Sequence, residues 1–439
     1  MNVVFLVIVL TAFLTAAWRE LRHDPADGDS PMQALTTAMV DSAGGAVELA
    51  IGLVGVMTLF LGLMKIAEQG GLLVILAKLI RPVMVRLFPE VPANHPAMGA
   101  MILNFSANAL GLGNAATPFG IRAMQELDKL NPHKGTATNS MALFLAINTS
   151  SITLLPTGVI ALRAAAGSSE PAAILPTTLF ATVCATTVAI MAALLYARWF
   201  PVRPLPIAEQ PQAQDTGAAQ TDAEKAESTE QDALPTESGE AYPGWVSALA
   251  LLGVLGLIPL SILYGRIIAP WIIPGLMVGF LLFGVSRGVR IYEVFVDGAK
   301  EGFQVALRII PYLVAILVAV GMFRASGAME AMVGYIGGFT ASLGMPAEAL
   351  PMALLRPLSG SGAYGVMASI INDPAIGPDS YTGMLVSTLQ GSTETTFYVL
   401  AVYFGAIQVR RIRHTLAAGL TADLAGIIGA VIICLLLFG

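Results

Sequence analysis

Charge is what this sequence is short of. Only 12% of its residues are charged while 56% are hydrophobic, whereas a soluble domain carries about 25% charge. Mean hydropathy is +0.74, so the chain is read as an all-α polytopic membrane protein and not as a large soluble core. Two cysteines, Cys184 and Cys434, are too few for a disulfide framework. Four scattered histidines (His23, His95, His133 and His414) argue against a zinc site. A net charge of −6 without a basic stripe leaves no footprint for nucleic acid. No Gly-Lys-Ser/Thr phosphate loop, His-Glu-x-x-His or nucleophile elbow occurs, so nothing points to nucleotide hydrolysis or peptide cleavage. The expectation is a protein that is not an enzyme and holds no cofactor. Residues 1–18 are apolar but lack a charged n-region and a small-residue cleavage site. They are expected to stay as a helix.

Apolar stretches of roughly 20 residues predict spanning helices over 2–18, 46–65, 139–162, 177–197, 244–264, 268–286, 303–323, 382–408 and 415–438, about nine in all. The intervals 66–138 and 324–381 are too polar and too often broken by Gly and Pro for simple spans, and each is expected to hold a re-entrant helical hairpin. Residues 204–242, rich in Glu, Asp, Gln, Thr and Pro, read as an acidic disordered linker. They divide the chain into halves, 1–203 and 243–439.

The halves read as copies. Asp41-x-Ala43 and Gln69-Gly70-Gly71 recur as Asp297-x-Ala299 and Ala325-Ser326-Gly327, 256 residues on (41 to 297, 71 to 327). Asn148-Thr149-Ser150-Ser151 recurs as Gln390-Gly391-Ser392-Thr393, 242 residues on (148 to 390). Lys78, Arg81, Arg86, Arg122, Lys129 and Lys134 flank the first hairpin, while 328–346 and 372–380 carry neither Lys nor Arg. The positive-inside rule then inserts the hairpins from opposite faces, with the N-terminus inside and the C-terminus outside. An inverted repeat with broken helices is the plan of secondary transporters, whose sites lie near the bilayer midplane.

The chemistry gathers at four places. The first hairpin offers Asn104, Ser106, Asn108, Asn114 and Thr117, and the second offers Ser359 and Ser361 behind Arg356. Asn148, Thr149, Ser150, Ser151 and Thr153 crowd the middle of 139–162, just before Pro156. Gln390, Ser392, Thr393, Glu394 and Thr395 crowd the middle of 382–408. Small residues alone would also serve tight helix packing, and lone hydroxyls can bond their own helix. A carboxylate in a span costs at least about 2.5–3.5 kcal/mol, which makes Glu394 a site candidate. It stands where the first half has Ile152. Three roles stay open for it: proton carrier, Na+ ligand with Ser392 and Thr395, or acceptor for a cationic or hydroxylated solute. Asp423 is the next candidate acid, and Arg356 either meets an anion or caps the hairpin.

At this point a family resemblance can be stated. Asn108-Ala-Leu-Gly-Leu-Gly-Asn-Ala-Ala-Thr-Pro-Phe-Gly, continuing to Leu127, resembles the signature of the spore maturation protein A family. Pro357-Leu-Ser-Gly-Ser-Gly-Ala-Tyr-Gly, Gly377-Pro-Asp-Ser-Tyr381 and Gln390-Gly-Ser-Thr-Glu-Thr-Thr-Phe-Tyr resemble spore maturation protein B. The chain thus resembles a fusion of the two, both in the nucleoside-recognition, or Gate, superfamily. The resemblance implies a membrane-embedded transport or gating module and supplies no substrate.

The expected function is a proton- or sodium-coupled secondary transporter of a small polar solute in a bacterial inner membrane, with a homodimer as the expected assembly. The alternative is a non-transporting assembly or receptor protein that binds a partner through its linker or through the basic surface near 78–86 and 122–134.

Overall fold

A mid-span interruption forces a chain to find partners for the backbone groups it frees, and the architecture follows from how this chain does so. The computed structural model describes residues 2–23, 30–111, 113–151, 153–201 and 242–439. Its first half runs α1 (Asn2–Glu20), α2 (Pro31–Gln69), α3 (Leu72–Leu87), α4 (Pro96–Ala109), α5 (Gly113–Lys129), α6 (Asn139–Ser150), α7 (Thr157–Ala165) and α8 (Leu175–Tyr196). The second runs α9 (Gly244–Ser286), α10 (Ile291–Ala325), α11 (Ala328–Ser342), α12 (Leu350–Leu355), α13 (Gly360–Ile371), α14 (Tyr381–Ser392), α15 (Thr396–Ala406) and α16 (Thr415–Phe438). The protein is a multi-pass, all-helical membrane protein. By length and apolar composition, the helices within Pro31–Gln69, Pro171–Tyr196 and Thr415–Phe438 suffice to cross a bilayer.

From α2 and from α10 onward the two halves repeat the same order of elements. Gly71 and Gly327 both take the left-handed conformation, at φ 84° and 82°, and each starts the next helix of its half. Local chemistry explains the helix starts: Thr138, Ser359 and Ser380 each accept a bond from the backbone two or three residues on, capping α6, α13 and α14. α2 begins at Pro31 behind the Ser30 cap.

Corresponding helices pack antiparallel. Along α2, Ser42 meets Gly321, Met57 meets Gly302, and Lys65 reaches Glu301 at 3.0 Å, so α10 runs the other way. Along α8, Cys184 meets Gly429, Ala185 meets Gly426, and Tyr196 bonds Thr421 at 3.1 Å, so α16 also runs the other way. Antiparallel pairing of like elements is what an inverted repeat requires. Small residues bring the backbones together: a Cβ added at Gly302 would lie 2.7 Å from the Met57 carbonyl oxygen.

One expectation differs. The spans predicted over 244–264 and 268–286 form a single helix, α9, of 43 residues, about 64 Å at 1.5 Å per residue. Only Gly265-Arg266 separated the two apolar runs. Neither residue breaks a helix, since one Gly costs about 1 kcal/mol and an Arg stem can snorkel.

Two arginines tie the ends of the halves together. Arg163, at the end of α7, is fully buried. It donates to the Pro171 and Pro378 carbonyls at 3.2 and 2.6 Å, and to Ser168 and Asp379 at 3.0 Å each. Thus the end of α7 is bound to the loop that starts α14. Reciprocally, Arg413, beyond α15, donates to the Ala137 carbonyl and to Asn139 at 3.0 Å each, binding the start of α6. Asp379 lies in a loop outside the spans. Burial pushes its carboxyl up, but bonds from Ser168 and Ser169 and the charge of Arg163 outweigh that and hold it below the ordinary carboxylate range.

Two outcomes follow for thermal unfolding in detergent. Gly302→Ala is expected to lower stability by about 1–3 kcal/mol through overpacking, whereas Gly279→Ala on α9, with nothing within 4 Å, is expected to be neutral or to gain up to about 1 kcal/mol of helix propensity. Asp379→Asn is expected to lower Tm at pH 7. A carboxyl held low in the fold stabilises above its unfolded pKa, about 3.9, and stops doing so as pH falls through the folded value. The gap between wild type and Asp379→Asn should therefore close below about pH 4. A gap that persists unchanged well below about pH 4 would show that the carboxylate charge is not involved.

Candidate functional site

Both polar stretches expected in mid-span are interruptions. α6 stops at Ser150 and α7 starts at Thr157; α14 stops at Ser392 and α15 starts at Thr396. Ser151 has φ 39°, a left-handed backbone that non-glycine residues rarely adopt, of the kind that gathers at functional sites. Freed backbone groups are met from nearby elements. Thr182 donates to the Ser150 and Ser151 carbonyls. The Leu154 N–H reaches Ala109 O at 2.9 Å, and the Phe397 N–H reaches Pro357 O at 3.1 Å, so each hairpin supports the break of its own half. Across the halves, the Glu394 N–H donates to Thr149 O at 2.8 Å and joins the two breaks directly.

Arg356 sits between the second hairpin and the second break. It is 5% exposed and donates from Nη1 to Thr395 Oγ1 at 3.0 Å and from Nη2 to the Thr393 carbonyl. Its Nε has no partner among the described residues. Nη2 lies 3.8 Å from a Glu394 oxygen, too long for a hydrogen bond, and the Glu394 side chain is 47% exposed.

A cavity of about 220 Å³ opens at this junction, lined by the first hairpin (Asn108, Gly111), the first break (Ser151, Thr153 and Leu155 to Val159), the second hairpin (Arg356, Tyr364) and the second break (Gln390, Gly391, Thr393 and Glu394). Of the residues singled out from the sequence, Asn108, Ser151, Thr153, Gln390, Thr393 and Glu394 line it. Asn148 stands one layer behind, accepting from Asn108 at 3.0 Å. Thr395 serves as the acceptor for Arg356. The others turn elsewhere. Asn104 donates to Ala116 O at 2.7 Å, and Ser106, Thr149 and Ser150 return their hydroxyls to their own helix. Ser392 is fully buried outside the cavity wall, Ser359 caps α13, and Ser361 is exposed. Thr117 is half-buried in α5. The Asn114 side chain lies outside the described residues. Asp423, the second acid, is 3% exposed behind the breaks and accepts from Thr396 at 2.6 Å.

Tyr364 and Gly111 were not singled out from the sequence. A signal existed for each: an aromatic inside the small-residue run Ser359–Gly365, and a glycine between two leucines at a hairpin tip. Gly111 has φ 75°, and a Cβ there would lie 2.5 Å from Leu155 O. Among the described residues no cluster of three or more His, Cys, Asp or Glu could hold a metal ion.

Gly111→Ala is therefore expected to disrupt this junction by both strain and crowding. Gly167→Ala, at φ 77° with nothing within 4 Å, incurs the strain alone, about 1–2 kcal/mol. The measurement is Tm for the two variants in detergent. A deficit in Gly111→Ala no larger than in Gly167→Ala would mean the hairpin tip is not packed on the first break.

The comparisons with known proteins fit this two-part construction. A family profile described as "Nucleoside recognition" (Gate) matches residues 50–198 and 306–410, more than half of the chain. The chain is 47% identical over 167 residues to spore maturation protein B of Bacillus subtilis (strain 168), over 38% of this chain and 93% of that one. It is 48% identical over 152 residues to spore maturation protein A of the same organism, over 35% of this chain and 78% of that one. Among solved structures, CNTnw in an outward-facing state overlays at TM-score 0.44 and 13% identity, over 99% of this chain and 96% of that one. CNTnw in an inward-facing substrate-bound state overlays at TM-score 0.44 and 14% identity, over 98% and 91%. By the profile and by both relatives, this chain belongs to the nucleoside-recognition (Gate) family of membrane proteins.

Proposed function

We propose that the protein is a secondary transporter that moves a small polar solute by alternating access about the cavity between the two breaks. The observation that carries this reading is that four interrupted elements, two from each half, line one polar cavity holding Glu394 and Arg356. Interrupted backbone and an acid are costly at membrane depth, and both recur where transporters bind solute and coupling ion. The antiparallel pairs α2 with α10 and α8 with α16 supply the near two-fold relation that lets one half rock against the other. Glu394 is the group on which proton or sodium coupling would act. The two halves are read as 1–203 and 243–439, joined by the linker 204–242, in a bacterial inner membrane with the N-terminus inside.

A second reading is favoured by the relatives' names, which speak of spore maturation and of no transport. Under it, the protein is a non-transporting assembly or receptor protein.

The two readings separate without knowledge of the solute. With Cys184 and Cys434 replaced, Thr153→Cys places one thiol in the cavity wall. In right-side-out and inverted vesicles, a transporter is expected to let an impermeant thiol reagent reach it from each face. Reaction from one face only would favour the receptor reading, and reaction from neither would remove the aqueous cavity.

A further inference from the structure

We infer that the cavity takes a small zwitterion, a solute carrying one ammonium and one carboxylate on a frame of about seven non-hydrogen atoms. This rests on the transport reading and names its substrate class. The first support is charge. The cavity wall carries one guanidinium, Arg356, and one carboxylate, Glu394. A net cation would face Arg356 and a net anion would face Glu394. A solute of zero net charge avoids both conflicts.

The second support is the hydrogen-bonding inventory of the wall. Asn148 Nδ2 donates to the Phe144 carbonyl at 2.9 Å, which turns Asn148 Oδ1 toward Asn108. Asn108 must then present Nδ2 to it, at 3.0 Å. Its own Oδ1 is left over as an acceptor. Gln390 is 7% exposed, and its Oε1 has no partner among the described residues. With the half-exposed Glu394 carboxylate, that makes two side chains in the wall with acceptor oxygens to offer, and the buried Gln390 Oε1 joins them on a side-chain rotation. An ammonium brings three donors in one small group. Neutral polyols carry no charge to match Glu394.

The third support lies at the opposite pole. α7, nine residues long, starts without a side-chain cap, and its first residues, Thr157, Gly158 and Val159, line the cavity. An uncapped helix start favours a carboxylate, and the Arg356 guanidinium, whose buried Nε–H lacks a partner among the described residues, sets the matching charge in the same wall. Size agrees as well. A volume of about 220 Å³ holds about seven waters at roughly 30 Å³ each, which suits a small amino acid.

The test is equilibrium dialysis of the purified full-length protein against four labelled probes of similar size that differ in which charges they carry. L-Serine carries both charges, ethanolamine lacks the carboxylate, lactate lacks the ammonium, and glycerol lacks both. L-Serine is expected to bind at least about tenfold tighter than any of the other three, the scale of one charge-assisted contact. Glu394→Gln, which keeps size and shape, is expected to weaken L-serine at least about tenfold and ethanolamine similarly, while lactate, freed of the like charge, binds more tightly. Gln390→Met is the second variant, expected to weaken L-serine alone among the neutral probes, with Tm confirming that each variant folds. Equal binding of glycerol or of either singly charged probe overturns the zwitterion assignment. So does L-serine binding untouched by Glu394→Gln, or no binding of any probe at about 10 mM. The transport reading fails on a different result, labelling of the cavity thiol from a single face.

Discussion

An interrupted helix inside a bilayer leaves N–H and C=O groups that no water can satisfy, each costing several kcal/mol. Meeting them is the constraint on which this structure depends. The solution is mutual. The Glu394 N–H of one break donates to Thr149 O at the other, at 2.8 Å. The hairpins do the rest: Ala109 O takes the Leu154 N–H, Pro357 O takes the Phe397 N–H, and Arg356 takes the Thr393 carbonyl. Neither break is complete without its neighbours, which explains why both halves are found in one folded unit.

From that junction the rest of the molecule follows outward. Arg163 and Arg413 hold the far ends, each joining the end of one broken helix unit to the beginning of the other. The glycines between α2 and α10 and between α8 and α16 bring the scaffold helices within backbone contact. This rigid surround keeps a cavity open where close packing would otherwise fill it. The wall is left with a half-exposed acid, Glu394, and behind it a buried guanidinium Nε–H and a buried amide oxygen without partners among the described residues.

Much of this was legible in the sequence because bilayer physics is strict. Polar clusters at 148–153 and 390–395 were conspicuous against apolar flanks, and both proved to be helix breaks. The 256-residue spacing of Gly71 and Gly327 (71 to 327) marked the repeat, and both glycines sit at the same left-handed corner. What sequence could not tell was direction. Ser359 caps the start of α13, whereas Ser151, just past the end of α6, lines the cavity, so two serines in polar runs do different work. Arg163 stands just past the span predicted over 139–162 and carried no signal of its own; only tertiary contacts make it a buried clamp. The join of 244–264 to 268–286 was missed because each apolar run alone matches the length of one span, while helix continuity depends on the backbone.

The central claim is that the two halves enter the membrane in opposite directions and meet at a shared polar junction. Pro132 and Ala375 occupy corresponding exposed loops, each ahead of the broken helix of its half. Impermeant maleimide labelling of Pro132→Cys and Ala375→Cys in intact cells, with the two native cysteines replaced, tests it most directly. Opposed halves predict that one site reacts in intact cells and the other only after permeabilisation. Reaction of both from the same side would contradict the account.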